Sequence, residues 1–259
     1  MDIFGNGDDD DEGPTETQQR VETVVDSLRA EQIQLSEVVQ RLDGSVEERP
    51  VAARVLVQAA LHNSNTVEGI VEGVIDRLAE RELARPVAEN LLVSTESLRT
   101  NGIDYPTVAE GSLDALEEAF RRIETVRTGR SEEVLGGGAS ETVLATELRG
   151  HADSVGGRKQ LVTEATADAF EAVPMALARQ ANMDPIDTLV EMRSECEAGN
   201  TVGINTEESE LRNGGELAIS EMELRTRLTD GVALAGIVAL TQGTVTQLGT
   251  LTSHDPNLD

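Results

Sequence analysis

The sequence predicts an all-α fold, mainly helical, with a small β-hairpin element. Apolar residues recur every three or four positions along most of the chain, which is the period of an amphipathic helix. Residues 201–219 lose that period and are the best candidate for short strands or a hairpin. With three Phe, one Tyr and no Trp, the core must be built from Ala, Leu, Val and Ile, which suits closely packed helices.

Start and stop signals divide the chain into successive helices. Ser45 and Glu48 have the spacing of a capping box, and Asp184 is a natural N-cap ahead of Pro185. Pro174 is expected to kink or break the helix that contains it. The predicted helices, in chain order, cover residues 15–42 (one helix or a pair), 45–62, 65–83, 86–102, 104–129, 139–155, 157–181, 183–199 and 221–242.

The domain organisation follows from composition. It predicts a disordered acidic tail over residues 1–14, a single helical domain over residues 15–250 and a C-terminal tail over residues 251–259. No secretory signal peptide opens the sequence. The longest uncharged run, 231–253, is diluted by Thr, Gln and Gly, so its apolar part is nearer the length of a buried helix than of a membrane span. We therefore expect a soluble, cytoplasmic protein that has no membrane partner.

The charge balance is strongly acidic. The chain has 49 acidic and 21 basic residues, a formal net charge of −28, and Lys159 is its single lysine. Self-repulsion of this size is screened in concentrated salt, as in halophilic proteins. Disorder is disfavoured by the 38% hydrophobic residues and the sustained helical period. Because no basic cluster is present to neutralise phosphates, nucleic acid is excluded as a partner.

Residues that carry chemistry are scarce. His62, His151 and His254 are far apart and lack the spacing of metal ligands, so no metal site is predicted. Cys196 is the single cysteine and lies beside acidic residues, which do not activate a thiol, so it is interpreted as structural. No P-loop or dinucleotide-binding glycine pattern is found. The run "GGGAS" from Gly136 could place backbone against phosphate or ribose at a helix N-terminus, or it could be a packing turn.

Longer stretches carry a family resemblance. The segments "GGGASE", "SVGGRKQLVTEATADAFEAVPMALARQANMDPIDTLVEMR" and "VGIN", within residues 134 to about 240, resemble the C-terminal part of the equatorial domain of group II chaperonins, the archaeal thermosome family. In that family the triple glycine and the "GxN" loop contact ATP. The resemblance therefore implies nucleotide contacts at Gly136, Gly137, Gly138 and Asn205. It also implies an acidic ribose contact near the last helix, at Glu221 or Glu223.

The N-terminal half resembles the same domain but departs from it at the phosphate site. The family's Leu-Gly-Pro-Lys-Gly loop is replaced by "LRAEQ", which brings Arg29 and Glu31. Its Gly-Asp-Gly-Thr-Thr-Thr loop is replaced by "EGIVEG", which begins at Glu68, whereas Asp43 keeps an Asp-Gly pair. Phosphoryl transfer depends on positioning and charge neutralisation. We therefore predict that the chain is not an enzyme, hydrolyses no ATP and has no resident cofactor.

A second departure concerns domain content. Between "FRRIETVRTGRSEEV" and "LGGGAS" the family carries its intermediate and apical domains, and here only a handful of residues intervene. The leading hypothesis is a non-catalytic, chaperonin-like assembly protein that forms a ring of its own copies or joins thermosome subunits. The alternative is a sensor that binds ADP or ATP without hydrolysis. A third hypothesis is a small chaperone that holds unfolded chains on exposed apolar surface.

Overall fold

The computed structural model describes residues 19–24, 35–45, 48–62 and 83–240. Residues 19–24 are helical, and 3-10 turns cover Arg41–Asp43 and Ile123–Val126. The other α-helices, numbered in chain order, are α1 Leu35–Gln40, α2 Glu48–His62, α3 Ala84–Thr100, α4 Tyr105–Arg121, α5 Ala139–Val155, α6 Gly157–Phe170, α7 Ala172–Gln180, α8 Pro185–Glu197 and α9 Glu221–Leu240. The strands are β1 Glu133–Val134, β2 Val202–Asn205, β3 Glu210–Asn213 and β4 Ile219–Ser220. The predicted mainly helical class is confirmed.

Local capping signals place helix starts where the sequence predicts them. The Glu48 N–H donates to Ser45 Oγ at 3.3 Å, and the Ser45 N–H donates to Glu48 Oε2 at 3.0 Å, which completes the capping box. Asp184 Oδ1 accepts hydrogen bonds from the N–H groups of Ile186 and Asp187, both at 2.9 Å. These side chains satisfy donors that a helix start leaves unpaired, so they fix the first turns of α2 and α8.

Two predicted helices are divided or shortened. The helix predicted over 104–129 ends at Arg121, because Ile123 and Val126 turn inward and are buried in the core. The helix predicted over 157–181 is interrupted at Glu171, which lies between α6 and α7. Pro174 lies in the first turn of α7, where its missing N–H costs no hydrogen bond within the helix.

Several predicted segments lie outside the described residues. These are the two tails, 1–14 and 251–259, the middle of the first predicted helix or helix pair, 25–34, and the segment 63–82, which contains nearly all of the helix predicted over 65–83. The boundaries of the predicted single domain, 15–250, therefore stay a prediction.

The predicted hairpin is formed by β2 and β3. They pair antiparallel, from Val202 opposite Asn213 to Asn205 opposite Glu210. A second antiparallel pair joins β1 to β4, with Val134 opposite Ile219. The sequence does not predict this second pair, because strands of two residues carry no period and their partners are distant along the chain.

Helix α9 is the central element of the fold. It packs against α2, α3 and α4, and its residues 227–239 are all buried. Its second half, from Gly231 to Leu240, carries no charged residue, and a helical segment that is apolar on all sides belongs in an interior. Its glycines permit close approach, since a Cβ atom at Gly231 would lie 2.6 Å from Val87 Cβ. The described part of the chain contains no helix that is long and apolar enough to span a membrane.

The core has the composition that the sequence predicts. The main cluster consists almost wholly of Ala, Val, Leu and Ile, with Phe120 and Phe170 as its buried aromatic residues. A smaller apolar group, here called the second cluster, joins α7, α8 and β2. Its buried members are Ala178, Ala181, Met192 and Ile204.

Candidate functional site

The triple glycine forms a tight turn at the start of α5, here called the glycine turn, Gly136–Gly138. Gly137 and Gly138 have φ angles of +62° and +82°, a left-handed conformation that glycine adopts without a steric penalty. The Gly136 N–H donates to the Gly214 carbonyl at 2.9 Å, and the Gly137 carbonyl accepts from the Ile204 N–H at 2.8 Å. The turn is therefore fixed between α5 and the β2–β3 hairpin.

Each of the three glycines contacts other parts of the chain closely. A Cβ atom at Gly136 would lie 1.6 Å from the Leu217 carbonyl oxygen, and one at Gly137 would lie 2.6 Å from the Ile204 nitrogen. A Cβ atom at Gly138 would lie 2.8 Å from Pro174 Cβ. Packing thus demands bare backbone at all three positions. Gly136 and Gly138 are buried, whereas Gly137 is half-buried and exposes backbone to solvent.

Asn205 ends β2, one residue after the strand's contact with the glycine turn. Its Oδ1 accepts hydrogen bonds from the N–H groups of Glu207 and Glu208, at 3.1 and 3.3 Å, and its Nδ2 donates to Glu208 Oε2 at 2.9 Å. The side chain therefore shapes the turn of the hairpin. Asn205 follows Ile204, whose N–H donates to the Gly137 carbonyl, and nucleotide contacts at Asn205 and Gly136–Gly138 stay a prediction.

The predicted phosphate-site positions are described only in part. Arg29, Glu31 and Glu68 lie outside the described residues. Asp43 ends the 3-10 turn Arg41–Asp43 and is followed by Gly44 in an extended conformation. The departures at these positions stay predictions.

The two acidic candidates at the start of α9 are both engaged in ion pairs. Glu221 accepts hydrogen bonds from Arg127 Nη2 at 2.7 Å and from Arg225 Nε at 2.8 Å. Glu223 accepts one from Arg227 Nη2 at 2.8 Å, and its side chain is 54% exposed. Both carboxylates therefore face guanidinium groups of the chain itself.

A buried ion pair links the first turn of α5 to α9. Glu141 is fully buried, and its Oε1 accepts a hydrogen bond from Arg227 Nη1 at 2.5 Å. Sequence reasoning missed this pair, because a glutamate in the first turn of a helix is typical of a solvated residue that interacts with the helix dipole.

A second buried carboxylate, Glu171, joins three helices. Its Oε1 accepts hydrogen bonds from Arg149 Nη1 at 3.0 Å and from Arg193 Nε at 2.8 Å, and its Oε2 accepts from the Nη2 atoms of both arginines. Burial alone would raise the pKa of Glu171. The hydrogen bonds from Arg193 and Arg149 outweigh it and lower the pKa. This group is called the Glu171 clamp below.

The histidines and the cysteine are placed as follows. His151 is half-buried, with Nδ1 3.8 Å from Glu118 Oε1. Cys196 is partly buried against the main cluster, with Sγ 4.0 Å from Thr146 Oγ1. His254 lies outside the described residues, and His62 ends α2. Within the described ranges, no three His, Cys, Asp or Glu residues come together as metal ligands.

Comparison with known proteins places this geometry in a family. Residues 128–227 match the TCP-1/cpn60 chaperonin family. Thermosome subunit alpha of Halobacterium salinarum is 59% identical over 66 residues, which cover 26% of this chain and 12% of that protein. The thermosome subunit of Methanocaldococcus jannaschii is 31% identical over 226 residues, covering 85% of this chain and 34% of the relative. The chain thus spans about a third or less of the length of these relatives.

A solved structure gives a weaker match. The open-state monomer of a group II chaperonin from Methanococcoides burtonii is 36% identical to this chain. The match covers 45% of this chain and 27% of that monomer, with a TM-score of 0.33.

The family assignment corrects one prediction. The matched family is one of chaperonin ATPases, so the prediction that the chain is not an enzyme is wrong. That prediction was based on Arg29, Glu31 and Glu68, none of which is described by the structure. The resemblance to group II chaperonins is confirmed: residues 128–227 match the TCP-1/cpn60 chaperonin family, and thermosome subunits are among the similar proteins.

Proposed function

We propose that the chain is an assembly protein built on the equatorial type of chaperonin fold. It forms a ring from copies of itself, or it joins thermosome-like subunits, in a salt-rich cytoplasm. The observation that carries this proposal is the closed connection between α4 and the glycine turn.

This connection is a short turn hydrogen-bonded back onto the domain. Arg127 bridges to Val134, and the Leu135 N–H donates to the Val126 carbonyl at 2.9 Å. The Glu132 carbonyl accepts from the Glu221 N–H at 2.8 Å. According to the resemblance, the intermediate and apical domains of the family are inserted here. A helical body that is closed at this junction supports a role in assembly rather than in gripping substrate.

The relatives and general rules of symmetry favour a ring. The similar proteins from Halobacterium salinarum and Methanocaldococcus jannaschii are described as thermosome subunits, that is, as components of an assembly. Head-to-tail contacts between identical chains close into a ring when the rotation per subunit divides the circle. In this proposal, the high negative charge is screened by salt, which permits contact between copies.

Electron microscopy of the full chain in about 2 M KCl, where the Debye length falls below about 3 Å, tests the proposal. We expect class averages that show rings with rotational symmetry, alone or after mixing with purified thermosome subunits. Single-chain particles in both samples would contradict it.

A second candidate function is the binding of an adenine nucleotide at the glycine turn. Three observations favour it: the half-buried backbone of Gly137, the adjacent strand that carries Asn205, and the first turn of α5, which no side chain caps. Backbone N–H groups at such a helix start attract phosphate and hydroxyl oxygens.

Calorimetric titration with ATP, ADP and AMP in molar KCl tests this second candidate, with Asn205→Ala as the variant. Asn213→Ala is the matched control, because Asn213 Oδ1 makes a similar turn contact with the Gly215 N–H, at 2.8 Å, in the same hairpin. We expect about tenfold weaker binding for Asn205→Ala and no change for the control, since one hydrogen bond is lost. Titrations of the wild-type chain without heat would refute nucleotide binding.

A further inference from the structure

We propose that Glu171 is a positioning residue for the glycine turn. Through Arg149 and Arg193 it ties together three elements that surround Gly136–Gly138, although it touches none of these glycines itself. The inference deepens the second candidate function, because it concerns the shape of the backbone to which a nucleotide would bind.

The first element is α5, the helix that begins at the glycine turn. Arg149 lies on α5, and its Nη1 and Nη2 atoms both donate to the Glu171 carboxylate. Gly138 is the N-cap of this helix. Because a helix moves as a nearly rigid rod, a contact that fixes α5 at Arg149 also restricts the direction in which the helix leaves the turn.

The second element is α7, whose first turn contacts Gly138. Glu171 directly precedes α7, and its carbonyl accepts from the Met175 N–H at 3.3 Å. Pro174 in the first turn of α7 lies against Gly138, where an added Cβ atom would be 2.8 Å from Pro174 Cβ and 3.0 Å from its Cα. A contact that fixes Glu171 therefore also fixes the first turn of α7, against which Gly138 packs.

The third element is β2, which the clamp reaches through α8. Arg193 donates to Glu171 through Nε and Nη2, and its neighbour Met192 is buried in the second cluster together with Ile204. The Ile204 N–H donates to the Gly137 carbonyl at 2.8 Å. The strand that pairs with the turn is thus held by the same carboxylate.

The Glu171 clamp is a strong and directional ion pair. Two planar guanidinium groups hold both carboxylate oxygens, and such charge-assisted pairs impose a direction as well as an attraction. The side chain of Glu171 is 1% exposed. If the carboxylate loses its charge, Arg149 and Arg193 lose a shared partner that is itself buried, which weakens the attachment of α5 and α8 to the start of α7.

Hydrogen–deuterium exchange of the full chain, at neutral pH in molar KCl, tests the proposal. In Glu171→Gln we expect exchange of the hydrogen-bonded amides of Gly136, Ala139 and Ile204 to accelerate by about tenfold or more, through local opening. Exchange in the centre of α9, around Leu234, is the internal reference for global unfolding: it should follow the loss of global stability, whereas the turn should exchange faster than that loss alone explains. Asp168→Asn is the matched control, because Asp168 binds the same Arg149 at 2.6 Å but is 57% exposed; this variant should exchange like wild type.

A second variant covers a failure of Glu171→Gln to fold. Arg193→Gln keeps the pairing of Glu171 with Arg149 and removes a side chain that is 43% exposed. It should accelerate exchange of the Ile204 and Gly136 amides more than that of the Arg149 amide. If amide exchange accelerates only in α6, α7 and α8 and stays unchanged in the glycine turn, in either variant, the proposal is overturned. Exchange is measured without nucleotide. If the turn loosens in Glu171→Gln but the wild-type chain binds no nucleotide, the positioning role of Glu171 stands and only the second candidate function is refuted.

Discussion

The replacement Gly136→Ala isolates the packing demand on the glycine turn. The new Cβ atom would lie 1.6 Å from the Leu217 carbonyl oxygen and 2.5 Å from its carbon. Real Cβ atoms essentially never approach closer than about 3 Å, so one of the two backbones must move by roughly 1.4 Å. Overpacking of a core typically costs about 1–3 kcal/mol, and the upper end applies here because neither obstacle is a side chain that can rotate away.

The same chain offers a matched control. Gly150 lies inside α5, is exposed, and has no atom within 4 Å of an added Cβ. Gly150→Ala should stabilise the helix by about 0.5–1 kcal/mol, because alanine loses less backbone entropy on folding. The two Gly→Ala variants should therefore differ by about 3–4 kcal/mol in the free energy of unfolding.

Urea unfolding in constant molar KCl, followed by far-ultraviolet circular dichroism, measures this difference. If Gly136→Ala is as stable as wild type, the contact between the glycine turn and residues 217–218 does not exist as described. Equal destabilisation by both variants would mean that the effect reflects the loss of any glycine in this region.

Three further outcomes are expected. Asp184→Ala should lower the free energy of unfolding by about 1 kcal/mol, because two N–H groups lose their acceptor; a loss no larger than that of Asp187→Ala would contradict the cap. The free energy of unfolding of wild type should exceed that of Glu171→Gln by about 3 kcal/mol at neutral pH. Since the pKa of Glu171 is lowered from 4.5 on folding, that advantage should be constant above about pH 5 and disappear as the pH falls further, through the folded pKa; an advantage independent of pH down to 2 would refute the assignment. Finally, thermal midpoints should rise between 0.1 and 2 M KCl, because a net charge of −28 is progressively screened; a flat or falling curve would contradict the importance of charge repulsion.

The predictions from sequence succeeded where the determining contacts are local. The capping box of Ser45 and Glu48 and the N-cap of Asp184 depend on atoms within three residues, so their spacing alone is sufficient. The second half of α9, from Gly231 to Leu240, was also predictable as buried, because it carries no charged residue. The break at Glu171 was predicted only roughly, since Pro174 marks the region and not the residue.

The rest depends on contacts between distant segments. The glycine run was conspicuous in the sequence, yet the atoms that demand it belong to Leu217, Ile204 and Pro174, which only the fold brings together. Glu171 lies 22 residues from both Arg149 and Arg193. In a chain with 49 acidic residues, nothing in the local pattern separates a buried carboxylate from the solvated ones.

The mass of the particle in solution decides whether the chain assembles. Multi-angle light scattering in about 2 M KCl, with and without ATP, gives this mass independently of shape, in salt that screens surface repulsion. We predict a particle of several chains in both conditions, at a multiple of 27.7 kDa. A mass near 27.7 kDa in both conditions, also unchanged after mixing with thermosome subunits, would contradict assembly.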